Sequence, residues 1–135
     1  MIRLLKLYLL TLVVFFAVDL LWLAVVAKGF YRQQLGHLLA PVTVWPAAIL
    51  FYLIFIGGLL YFVVQPGLAH SSLKHTAIRG AAFGLVTYST YELTNMALIR
   101  DWPLPLVAVD ILWGVVLCTV VAVLSVRLGR LFHIR

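Results

Sequence analysis

Three of the four acidic residues in this chain sit in the middle of long, otherwise mainly apolar stretches, and that placement limits what it can fold into. Asp19, Glu92 and Asp110 each lie within runs of about twenty residues, the length needed to cross a bilayer as a helix. A carboxylate at the centre of a membrane helix costs roughly 2.5–3.5 kcal/mol on insertion scales. Such a side chain is tolerated when it faces the interior of a helix bundle, so all three are expected to point inward. Two of them belong to a repeated hexapeptide, Ala-Val-Asp-Leu-Leu-Trp at 17–22 and Ala-Val-Asp-Ile-Leu-Trp at 108–113.

Composition agrees with a membrane protein. The 135 residues are 65% hydrophobic and 10% charged, against about 25% charged in ordinary soluble domains. That length suffices for four crossings and short links, hence a single transmembrane domain, 1–135. A net charge of +6 in a soluble protein would suggest nucleic acid. Here the basic residues cluster at helix ends, where they orient the protein and meet anionic lipid heads, so no nucleic-acid partner is expected. The lone Cys118 has no partner for a disulfide or a redox pair and reads as a small packing residue. Arg3 and Lys6 before an apolar run resemble a secretory signal. The run is too long for one and contains Asp19, so it reads as a retained first helix.

The crossings are expected at about 5–27, 44–64, 76–99 and 103–124. The first ends at Lys28-Gly29, a basic residue followed by a helix-stopping glycine. The segment to Thr43 is too short and polar to cross. Tyr31, Leu35, Leu38 and Leu39 lie at helical spacing within it, so a short interfacial helix is expected there, as a connector rather than a lid. The second crossing opens with Trp45 and Pro46, and Gln65-Pro66-Gly67 should stop it. His70, Lys74 and His75 occupy the next link, where Ser71 or Ser72 would cap the third helix. That helix carries a nearly continuous polar run from Thr87 to Asn95. Asp101 is the natural cap of the fourth, with Pro103 in its opening turn. If the N-terminus is cytoplasmic, Arg3, Lys6, Lys74, Arg79, Arg127, Arg130 and Arg135 lie inside, against Lys28, Arg32 and Arg100 outside. The excess predicts both termini inside. The fold class is therefore an all-α, polytopic four-transmembrane-helix bundle, N-in/C-in.

This topology fixes depth. Asp19 precedes Lys28 by nine residues, Glu92 precedes Arg100 by eight, and Asp110 follows Asp101 by nine. At about 1.5 Å per residue all three lie roughly 12–14 Å below the outer rim. Tyr52, seven residues after Trp45, falls near the same layer. Gly80, Gly84, Tyr88 and Glu92 recur every fourth residue and form one stripe, in which the two glycines let a neighbouring helix come close. The expected site is a buried polar pocket containing Asp19, Glu92, Asp110, Tyr88 and Asn95, with Tyr91 nearby and Trp22 and Trp113 one turn from their acids. No Lys, Arg or His shares that depth. The acids must be neutralised by protons, satisfied by hydroxyls and amides, or paired with a cation, which points to a proton-carrying site. Carboxyls acting only as packing glue between helices are the blander alternative.

Several chemistries lack their residues. His37, His70, His75 and His133 all fall in loops or tails, which argues against intramembrane haem and Glu-x-x-His di-iron sites. Zinc-protease spacing and paired cysteines are missing, and Ser89 has no His base at its depth. No metal and no cofactor is expected. The combination of Asp19-Leu-Leu-Trp22, Gly29-Phe30-Tyr31, Tyr91-Glu-Leu-Thr-Asn-Met96 and Asp110-Ile-Leu-Trp-Gly114 resembles a family of small bacterial integral membrane proteins catalogued as a domain of unknown function. The resemblance covers nearly the whole chain. It implies a multi-pass protein of the bacterial inner membrane and no particular activity. Small multidrug exporters share the size and an intramembrane acid, but not the motifs.

The leading expectation is a membrane protein that binds, and in one version transports, a small cationic or lipophilic ligand with proton exchange. Its partners would be the lipid bilayer, that ligand, and a second copy or another membrane protein. Two rivals stand beside it. One is a membrane enzyme acting on a lipid or isoprenoid through these acids; the other is a non-catalytic subunit whose acids meet a basic partner helix.

Overall fold

A computed structural model of the chain describes residues 1–134, so the Arg135 counted in the charge balance lies outside the described residues. Among the described residues the regular structure is entirely helical. Helix α1 spans Ile2–Leu21 and runs on as a π-helical turn, Trp22–Val26. After Gly29, whose left-handed φ of 79° suits a residue without Cβ, comes the short α2, Phe30–Leu35. Helix α3 spans Trp45–Leu59, passes through a second π turn, Leu60–Val64, and continues as α4, Gln65–Ala69. Helix α5 spans Leu73–Leu98 and α6 spans Leu104–Leu131.

Among the described residues three helical stretches are long and apolar enough to cross a membrane: Ile2–Val26, Trp45–Ala69 and Leu104–Leu131. Helix α5 has 26 residues, about 39 Å of helix, but its polar run keeps it outside that apolar class. Much of the polarity is satisfied within the helix itself. Thr87 Oγ1 donates to the Phe83 carbonyl at 2.8 Å and Thr90 Oγ1 to the Val86 carbonyl at 2.6 Å. Such back-bonding lets a hydroxyl face an apolar surrounding without an unmet donor.

The long helices alternate in direction. Leu7 near the start of α1 packs by Gly129 near the end of α6, whereas Asp19 near the end of α1 meets Trp113 toward the start of α6. Gly80 and Gly84 of α5 face Cys118 and Gly114 of α6 in the same antiparallel sense. Leu7, Phe15, Ile56, Leu59, Leu117 and Val121 are at the centre of one apolar core. Cys118 is a free, buried member of it.

Several element ends differ from expectation, each for a local reason. Gln65-Pro66-Gly67 does not stop the second long helix, which stays helical through Ala69. Proline removes the N–H that would bond the carbonyl four residues earlier, here that of Phe62. Arg79 supplies the missing donors, Nε at 3.1 Å and Nη2 at 2.9 Å from that oxygen. Arg130 similarly binds carbonyls at the end of α4, those of Gly67 and His70, satisfying groups a helix C-terminus leaves open. Asp101 does not cap α6. It adopts a left-handed φ of 59°, and Pro103 takes the cap position. Ser72 occupies the cap position of α5, but its side chain makes no capping bond. The expected interfacial helix is only six residues long and ends before Leu38 and Leu39.

Candidate functional site

The site is set by how closely α5 and α6 cross. A Cβ on Gly80 would lie 2.8 Å from the Cys118 carbonyl oxygen; one on Gly84 would run into the Gly114 carbonyl. Gly114 in turn leaves room for the Tyr88 ring, which a Cβ there would strike. Small residues on both helices bring the backbones together. The contact fixes register: one turn beyond the Tyr88–Gly114 crossing, the carboxyl of Glu92 abuts that of Asp110.

Each acid has an aromatic donor. Trp102 Nε1 donates to Glu92 Oε2 at 2.8 Å. Tyr31 Oη donates to Asp110 Oδ1 at 2.8 Å, and Trp22 Nε1 donates to the same Tyr31 oxygen at 3.0 Å. Trp113 Nε1 donates to Asp19 Oδ1 at 3.4 Å, a long bond at the edge of useful geometry. The two indoles of the repeated hexapeptide stack face to face, with centroids 4.3 Å apart and planes 8° from parallel. Each copy's tryptophan thus serves the other copy's acid, Trp113 directly and Trp22 through Tyr31. Two antiparallel helices with the same Asp-x-Leu-Trp spacing can do this about a local two-fold relation. A π turn begins at Trp22, and such turns recur at functional sites.

All three carboxyls reach the wall of one cavity of about 720 Å³. Glu92 is 1% exposed, and Asp19 and Asp110 are each 8% exposed. Tyr88, Tyr52 and Trp113 line the same space. Tyr52 is held there by Phe15 and Phe16, with ring centroids 5.9 Å and 4.9 Å away. Trp22 stands behind Trp113 rather than on the wall. Asn95 lies off the main cavity and lines a smaller hollow with Trp102 and Leu38, while Tyr91 borders both. Among the described residues no basic side chain lines the main cavity. Among the described residues no three His, Cys, Asp or Glu side chains converge closely enough to hold a metal ion.

Two site residues escaped the sequence reading. Tyr31 belongs to the segment read as a plain connector, yet α2 folds back so that its hydroxyl reaches Asp110 from 79 positions away. Nothing in the local sequence, Gly29-Phe30-Tyr31, marks which aromatic turns inward. Trp102 lies in the link between α5 and α6, and its indole turns inward to Glu92, ten positions earlier.

The model of the family described as predicted membrane protein (DUF2177) matches residues 4–127. No curated protein and no solved structure matches the chain.

Proposed function

The chain belongs to the DUF2177 family of membrane proteins, and on that premise we propose that it binds a small cationic or lipophilic ligand at Asp19, Glu92 and Asp110 in exchange for protons. The observation that carries this reading is the cavity wall itself: three acids, no basic side chain among the described residues, and about 720 Å³ of space beside them. Ionised carboxyls held in a low-dielectric enclosure need compensation, and among the described residues the wall offers no basic side chain to supply it. A proton on an acid neutralises it when the cavity is unliganded; a cation takes the proton's place when bound. Tyr31, Trp102 and Trp113 orient the acids by donating to them, and Tyr88, Tyr52 and Trp113 give a cation aromatic surface to rest on.

The proposal includes α5 as a fourth crossing, both termini on the cytoplasmic side, and residence in a bacterial inner membrane. Its support is the antiparallel pairing of α5 with α6, the self-satisfied threonines, and the excess of basic residues at one end. Glu92 and Asp110 do meet across the α5–α6 crossing, as helix glue would, but all three acids also line the cavity.

Tetraphenylphosphonium, a lipophilic cation, is a suitable probe with the full chain in lipid nanodiscs. Binding is expected to be saturable and to weaken as pH falls, because protons compete for the same acids. In Asp19→Asn/Glu92→Gln/Asp110→Asn the pH dependence is expected to vanish and affinity to drop at least tenfold. A triple variant that binds the cation as tightly as the unaltered chain, with the same pH profile, would overturn the proposal.

A further inference from the structure

The cavity is partly open, and some of its lining side chains also lie on the outer surface of the bundle. Its roof is α2, where Tyr31 is pinned to Asp110 and Leu35 covers the space beside it. Its back is α1 and α6, carrying Asp19, Trp113 and Asp110. Its floor is aromatic: Phe55 of α3 meets Phe83 and Tyr88 of α5, with centroids 5.5 Å and 6.1 Å apart. Above that floor α3 and α5 separate. Helix α5 packs on α6 and meets the second long helix mainly at the π turn Leu60–Val64, while α3 leans on α1. The gap between them is edged by Phe51, 51% exposed, and Val86, 63% exposed, and both also line the cavity. Thr90, exposed on the same edge, has its hydroxyl turned back onto the Val86 carbonyl and so presents its methyl side.

An apolar slot on the outside of the bundle that leads to buried carboxyls suits one kind of molecule. Its head must be positive, to satisfy the acids, and its tail apolar, to remain in the slot among Phe51, Val86 and Phe55. A small hydrophilic cation would have to leave water and cross the hydrocarbon layer to reach the slot, at high cost. We infer that the ligand is a membrane amphiphile with a cationic amine head, which enters sideways from the bilayer between α3 and α5 and places its head among Asp19, Glu92 and Asp110. This inference rests on the proposed cation site and adds the ligand's class and its route.

The test uses the full chain in nanodiscs of zwitterionic lipid, with the exposed Trp45 removed by Trp45→Phe so that Trp22, Trp102 and Trp113, all around the acids, are the fluorescent reporters. The probe is a long-chain primary amine bearing a nitroxide close to its head; the long-chain alcohol with the same label and the short-chain, water-soluble amine are the comparisons. The expected result is saturable quenching by the long-chain amine alone, with affinity at least tenfold weaker in Asp110→Asn. Val86→Phe, which narrows the slot at an already exposed position, is expected to slow the onset of quenching at least tenfold while leaving tetraphenylphosphonium-independent folding, read by thermal unfolding, unchanged. Equal quenching by labelled amine and labelled alcohol would overturn the amphiphilic-amine class. Equal competition by the short-chain amine, with onset insensitive to Val86→Phe, would overturn the lateral route while the cation site stood. Absence of binding by any amine, together with absence of tetraphenylphosphonium binding, would remove both this inference and the function beneath it.

Discussion

At the scale of single residues, the chemistry lies in who donates to which acid. Asp110 and Glu92 each accept a 2.8 Å bond from a side chain outside the long helices, Tyr31 and Trp102, while Asp19 receives only the 3.4 Å indole bond from Trp113. Hydrogen bonds between membrane helices contribute about 0.6 kcal/mol on average and up to about 1.7. Tyr31→Phe is therefore expected to lower stability by about 1 kcal/mol, and Trp113→Phe to cost less through its bond than through its lost stacking on Trp22. Thermal unfolding in detergent measures both, and a double-mutant cycle of Tyr31→Phe with Asp110→Asn should show coupling. Additive losses would mean that the Tyr31–Asp110 bond contributes nothing to stability. The acids themselves were legible in the sequence because a charge inside an apolar run demands explanation. Tyr31 and Trp102 were not, since an aromatic in a link carries no sign of the direction it turns.

Among elements, the close crossing of α5 and α6 and the continuity of the second long helix matter most. Gly84→Ala would press a methyl into the Gly114 carbonyl, with only backbone available to yield. Overpacking of this kind costs about 1–3 kcal/mol, whereas Leu85→Ala, on the exposed neighbouring position, should change stability by no more than about 0.5 kcal/mol. Equal effects in an unfolding assay would show that the glycine crossing does not hold α5 in register. The second element prediction concerns Arg79. Arg79→Ala leaves the Phe62 carbonyl without its donors and should cost about 1–3 kcal/mol. In a Pro66→Ala background residue 66 regains an N–H to offer that carbonyl, so the same substitution should cost markedly less. The glycine stripe was readable from its four-residue spacing. The bridged proline was not, because Gln-Pro-Gly ordinarily ends a helix and the rescuing arginine comes thirteen positions later, on another element.

For the molecule as a whole, the pocket is a property of four helices rather than of any pair. α1 and α6 bring the two Asp-x-Leu-Trp copies together, α5 adds Glu92, and α3 contributes Tyr52 while standing far enough from α5 to leave the side open. The apolar runs made a helical membrane protein legible, and counting from the helix ends brought the acids to a common depth. Helix ends, the fold-back of α2 and the slot between α3 and α5 depend on packing that no local pattern encodes. The proposed topology has a direct check with a membrane-impermeant thiol reagent, since Cys118 is fully buried. Added from outside intact cells, it should label Lys28→Cys and Arg100→Cys and spare Lys74→Cys; labelling of Lys74→Cys from outside would refute four crossings with cytoplasmic termini. The most direct test of the central claim, that something mobile balances the three acids, is infrared difference spectroscopy on adding tetraphenylphosphonium to the protein in nanodiscs. The account predicts loss of a protonated-carboxyl stretching band and gain of ionised-carboxylate bands, both diminished in Asp110→Asn and Glu92→Gln. Cation binding with no change in either set of bands, or the same change in the variant lacking all three acids, would contradict it.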